Sequence, residues 1–210
     1  YGEGILDIDG AVLELTDLYL QGDGSEIKNS KFVLGTYIFR LEADAQLEGN
    51  HIRAMTYFDV KGTATVEMVA NAFHIGGMRT LDAATLVMQE NVFEDVYTQI
   101  SLGSSAPAVL SNNRFEGCPS LDKGALQVTG PGAVTIQDNV FRCSTSDPYS
   151  ALAIRVSADN PGIIQHNVFE GPDRYGDTDD AAGLQFDAGA DIVVEDNVFS
   201  EWPVAVRVNG

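Results

Sequence analysis

The chain has 210 residues, 44% of them hydrophobic, with 31 acidic against 12 basic side chains and a net charge of −19. That length and apolar content suffice for one continuous core. The acidic balance counts against DNA, RNA and anionic membrane surfaces, because phosphate binding needs a basic footprint, and no stretch approaches the roughly 20 apolar residues of a membrane span.

In chain order, residues 1–24 fit no regular frame and read as an irregular or partial first coil; residues 25–210 read as a single repeat domain. From residue 30 onward a short motif returns. It begins in degenerate form at Ser30-Lys31-Phe32 and Asn50-His51-Ile52. It then recurs as Asn-x-Phe at Asn71/Phe73, Asn91/Phe93, Asn113/Phe115, Asn139/Phe141, Asn167/Phe169 and Asn197/Phe199. Successive anchors lie 20, 21, 20, 22, 26, 28 and 30 residues apart, a period that marks an array of units stacked on their neighbours. Three residues before each Asn position stand Ile27, Leu47, Met68, Met88, Leu110, Ile136, Ile164 and Val194. Five before it stand small or apolar residues such as Ala45, Val66, Leu86 and Val134. Alternation at period two predicts a strand. A second short strand precedes it, as in Leu126-Gln127-Val128, Ile154-Arg155-Val156 and Leu184-Gln185-Phe186, and turn residues such as Gly130-Pro131-Gly132 fill the gap.

Each unit therefore predicts two short strands, a sharp turn at the Asn, a third strand carrying the Phe, and a variable loop. Helical periodicity is absent, which excludes ankyrin, tetratricopeptide and armadillo arrays, and the leucine-rich frame L-x-x-L-x-L is missing. What remains is an all-β parallel β-helix of about eight coils, with an Asn turn ladder and a Phe core ladder. A tight turn asks for a left-handed residue, which Asn tolerates, and a stacked Asn amide can hydrogen-bond up and down the array.

The frame apolar-x-apolar-x-x-Asn-x-Phe resembles the right-handed parallel β-helix of the pectin-lyase-like superfamily over residues 25–210. Between about 110 and 210 it is also similar to the repeats of polymorphic outer-membrane proteins, in which a Phe segment alternates with Gly-Gly-Ala-Ile. The matching segments are Gly124-Ala125-Leu126, Ala151-Leu152-Ala153-Ile154 and Ala182-Gly183-Leu184. The resemblance implies a fold that carries lyases, hydrolases, epimerases, tailspikes and adhesins, so it speaks to architecture far more than to activity.

Function has to be read from particular places. The loop after each Phe lengthens through 116–125, 142–153 and 170–183, a rim holding Tyr149, Arg174 and Tyr175 together with Asp173, Asp177, Asp179 and Asp180. Asp177, Asp179 and Asp180 are candidate calcium ligands through their oxygens, against a plain solvated loop. A second place is the outward column Arg40, Asp59, Ser101, Gln127, Arg155, Gln185 and Arg207. Its residues Arg155, Gln185 and Arg207, with the rim's Tyr149, Tyr175 and Arg174, are candidate ligand-binding residues for an acidic polysaccharide; an ordinary solvent-facing strand is the alternative. A third is the column Glu26, Gln46, Glu67, Val87, Val109, Thr135, Ile163 and Val193. If it faces outward, Val87, Val109, Ile163 and Val193 make an interface stripe for a covering loop or a second copy.

Cys118 and Cys143 fall just beyond their Phe residues in adjacent coils, so they are either a cross-coil disulfide, implying an oxidising compartment, or two buried thiols. Tyr1 suggests a mature or excised fragment. Catalytic signatures are scarce. His51, His74 and His166 are dispersed, and resemblance to alginate epimerases would ask for Asp-Pro-His where Asp147-Pro148-Tyr149 stands. Resemblance to pectate lyases would ask for stacked carboxylates beside a basic residue, and Arg155 has Gln127 and Gln185 as column neighbours. The Asp-rich, Lys-poor surface suits high salt or calcium, or merely maintains solubility. These readings favour a secreted or cell-surface structural or adhesive module without a cofactor, or with calcium, stacking into an assembly or binding glycan. The alternative is a polysaccharide-active enzyme.

Overall fold

A computed structural model describes residues 5–15, 17–34, 39–94, 99–118, 124–143, 151–157, 161–172, 181–187 and 189–209. The described residues form strands and turns, with no helix among them. Every strand pairing is parallel, and the chain winds as a solenoid with three faces. The first face is, among the described residues, a nine-stranded sheet running from Asp7–Asp9 to Asp191–Glu195. The second carries the strands that follow each Asn, such as Val140–Arg142 and Val168–Glu170. The third carries strands such as Leu126–Val128, Leu152–Val156 and Ala182–Phe186. The second and third faces merge into one 16-stranded sheet, because His51–Val60 and Ala72–Thr80 run round the corner without a break. In those two coils no loop follows the anchor, contrary to the expectation that one opens in every coil.

The period-two pattern places the core as expected. Leu47, Met68, Met88, Leu110, Ile136 and Ile164 are all fully buried on the first face. On the second face, Phe73, Phe93, Phe115, Phe141, Phe169 and Phe199 stack with ring centroids 4.5–5.0 Å apart and planes within 8° of parallel. Parallel in-register strands force like side chains to overlie one another. Offset ring stacking adds to the area each Phe buries. In the early coils, where Ile52 interrupts the ladder, Phe39 and Phe58 stack on the third face instead, 4.4 Å apart.

The first corner holds a correction. The left-handed residue is the one before the Asn, not the Asn itself: Asn29, Gly49, Ala70, Glu90, Asn112, Asp138, His166 and Asp196 all have φ between 48° and 65°. The Asn residues serve the other expected role. Each Oδ1 accepts from the backbone N–H of the ladder residue in the preceding coil, and, from Asn71 on, from its Nδ2 as well, at 2.8–3.0 Å. Each Nδ2 also donates to the carbonyl of the apolar residue three before the preceding ladder position, as from Asn139 to Leu110 at 3.0 Å. From Asn71 to Asn167 both amide hydrogens and both oxygen lone pairs are thus used within a buried column.

The first coil is also more regular than expected. Asp7–Asp9, Val12–Leu15 and Leu18–Leu20 pair in register with the next coil. Leu6, Ile8, Ala11 and Leu13 occupy the frame. Ala11 stands in the ladder position, where its N–H donates to Ser30 Oγ at 3.1 Å, and Leu13 stands opposite Phe32. Ala and Leu replace Asn and Phe there, which hides the repeat, and the first sheet accordingly has nine strands instead of eight.

Candidate functional site

The third face bears the polar column, and its register is Tyr19, Arg40, Asp59, Arg79, Ser101, Gln127, Arg155, Gln185 and Arg207. Arg79 is not apparent from the sequence pattern, because Thr80 stands where the neighbouring coils carry an aliphatic residue and so conceals the strand. Asp59 is buried between two arginines. Arg79 donates to it as a fork, Nε to Oδ1 at 2.8 Å and Nη2 to Oδ2 at 3.0 Å. Arg40 approaches the same carboxyl group at 3.6 Å and lies 5.4 Å from the centroid of the Tyr19 ring. A carboxyl group taken out of water needs such partners.

A second cluster lies further along the column. Arg155 donates through Nε and Nη2 to Asp187 Oδ2 at 3.2 and 3.0 Å, and Asn209 donates to Asp187 Oδ1 at 3.1 Å. Burial pushes the Asp187 carboxyl up. The hydrogen bonds from Asn209 and Arg155, the Arg155 charge and a bond from Gln185 outweigh it, and the group sits below the usual carboxylate range. Gln185 is buried beside it, and Gln99 donates to Gln127 at 2.9 Å. Gln127 and Gln185 are the column neighbours of Arg155, as expected. Asp187, which reaches Arg155 from beyond the end of its own strand, is the partner that period-two counting does not bring to it.

The remaining sequence candidates fall as follows. Tyr149, Arg174 and Tyr175, and the proposed calcium ligands Asp177, Asp179 and Asp180, lie outside the described residues, as does Asp173. Among the described residues no group of three or more His, Cys, Asp or Glu side chains is arranged to hold a metal ion. Cys118 and Cys143 are disulfide-bonded, with Cα atoms 4.8 Å apart and both side chains buried, and they join adjacent coils at the base of the lengthening loops. His166 occupies the left-handed corner position between Asp138 and Asp196, 4.0 and 3.6 Å away. The column containing Val87, Val109, Ile163 and Val193 is in continuous register on the outward side of the first face. Val193 is 53% exposed and the other three are half-buried.

Small residues where the second face passes into the third have a packing cause. A Cβ on Gly183 would meet the Phe199 ring at 2.8 Å, and one on Gly171 would meet the Glu201 carbonyl oxygen at 2.1 Å. Gly183, in the segment Ala182-Gly183-Leu184, thus leaves room for the Phe ladder, and Gly171 for the neighbouring coil.

Fully parallel pairing, three faces and a buried ladder at one corner define a parallel β-solenoid. Residues 14–199 match the family model described as right handed beta helix region, and the chain belongs to that family. Comparison with curated proteins and with solved structures returns no match.

Proposed function

We propose that this chain is a structural or adhesive β-helix module of a secreted or cell-surface protein, a stiff spacer whose outer faces engage glycan or a protein partner. The observation that carries this reading is the pairing along the third face. Arg40 and Arg79 are turned onto Asp59, and Arg155 onto Asp187, so these arginines are engaged with the protein's own carboxyl groups. An acidic polymer binding there would have to displace these carboxyl partners. Support for stiffness comes from the two ladders, which leave few coil-to-coil groups unsatisfied. Support for an oxidising compartment comes from the Cys118–Cys143 bond.

The test is incubation with a panel of acidic polysaccharides, with and without calcium, read by absorbance of unsaturated products and by reducing ends. Retention on insoluble glycans is measured in parallel. Retention without turnover is expected. Turnover that disappears in Arg155→Ala would overturn the reading. It would favour instead a polysaccharide-active enzyme, a second reading supported by the convergence of Arg155, Gln185, Asp187 and Asn209.

A further inference from the structure

The first face contains a panel unlike the rest of this acidic molecule. The four consecutive rungs 85–89, 107–111, 133–137 and 161–165 hold no charged residue, although 20% of the chain is charged. Their outward side chains form three columns: Thr and Pro or Ala along one edge, an aliphatic column with one Thr in the middle, and Gln or Ser along the other edge. The flanking rungs carry Glu67 on one side and Asp191 and Glu195 on the other.

We propose that this panel is the contact face of a homodimer in which a second copy packs face to face and antiparallel, about a two-fold axis lying along the strand direction. Such an axis keeps each column over itself and reverses the order of the rungs, as an isologous contact requires. Val87 then faces Ile163 of the other copy, Val109 faces Thr135, and Gln89 faces Gln165, so aliphatic groups meet largely aliphatic ones and amides meet amides. At the flanks Glu67 faces Val193, Val69 faces Glu195, and Thr65 faces Asp191. No charge meets a like charge. At the corner Glu90 falls opposite His166.

The alternative axis, along the solenoid, places every rung on itself. It would set Glu67 against Glu67 and Asp191 against Glu195, which like-charge repulsion opposes. The self-complementarity therefore selects one arrangement. It also selects the occupant, since two copies each carrying −19 can approach closely only where neither presents charge.

Six rungs about 4.8 Å apart and five residues of about 3.3 Å give on the order of 450 Å² of flat sheet per copy. The total lies below the ~1,200 Å² of a standard interface, so the dimer is weak. The remaining surface is acidic on both copies, so salt that screens it strengthens association, the reverse of an ion-paired contact.

Sedimentation velocity of the whole chain at high concentration, in roughly 20 mM and roughly 500 mM sodium chloride, tests this. The dimer fraction is expected to rise with salt and to vanish in Thr135→Glu, whose side chain points outward and whose melting midpoint should stay unchanged. A second measurement does not depend on that variant. A mixture of Val87→Cys and Ile163→Cys proteins should cross-link to each other in preference to themselves, since the native cysteines are already bonded. Monomer alone at both salt concentrations, a dimer indifferent to Thr135→Glu, or cross-linking of each cysteine variant to itself would each overturn the proposal.

Discussion

The corner between the first and second faces and the corner between the second and third are built by the same coils under opposite rules. At the first, one left-handed residue and one polar residue, buried in all but the last coil, make the turn in every coil from Asn29-Ser30 to Asp196-Asn197, and its length never varies. At the second, Ile75 to Met78 turn without a loop, while the connections after Phe115, Phe141 and Phe169 lengthen progressively. The cause is hydrogen bonding. At the first corner each Asn amide serves two neighbouring coils, so an inserted residue would orphan buried donors on both sides. The second corner hands its backbone groups back to regular pairing on either side, and what lies between can grow at little entropic cost.

The sharpest way to break this contrast is Asn139→Ala. It removes the acceptor of the Asn113 N–H and Nδ2 and the donor to the Leu110 carbonyl, all buried. Leaving these unsatisfied should cost about 4 kcal/mol, read as a lowered denaturation midpoint in urea. A comparable loss from a polar substitution in the connection between Arg142 and Ala151 would erase the distinction.

At the second corner the described residues hold one covalent tie. Replacing both Cys118 and Cys143 by Ser opens a link across a sequence separation of 25 and should cost about 3 kcal/mol by calorimetry. An unchanged melting temperature would mean that the loops need no anchor there.

Gly171→Ala asks whether the second corner is tolerant throughout. Its Cβ would run into the Glu201 carbonyl and crowd Trp202, so a loss of about 2 kcal/mol is expected from equilibrium unfolding. Full tolerance would show that the coil after Phe199 moves freely. The smallest effect is a gain. Ala70 has φ 53° at the first corner, and Ala70→Gly should stabilise by about 0.5 kcal/mol, relief of left-handed strain being partly offset by greater freedom of the unfolded chain. Destabilisation would mean that the Ala70 methyl contributes packing that its exposed position does not suggest.

Much of this molecule is legible in its sequence. Period-two alternation, the Asn and Phe columns and the spacing of their returns established the fold class, because in-register parallel stacking turns a sequence repeat directly into a column of touching side chains. The register of the column of Val87, Val109, Ile163 and Val193 and of the neighbours of Arg155 follows from the sequence for the same reason. The first coil is hidden because Ala11 and Leu13 stand where Asn and Phe mark the later coils, and Arg79 is hidden because Thr80 conceals its strand.

Other features belonged to the tertiary structure alone. Which residue of the corner turns left-handed depends on where the chain must reverse so that the following amide can lie inside the column, and composition does not reveal that offset of one. The fork of Arg79 on Asp59 and the reach of Asp187 to Arg155 join side chains 20 and 32 residues apart. Local periodicity places each residue on a face; only the rotamers and burial of its neighbours decide which charge it meets. The stack and its ladders follow from the residue pattern alone, since these repeat with the chain. Three-dimensional packing decided the pairings that differ from coil to coil, and those are what give each face its chemistry.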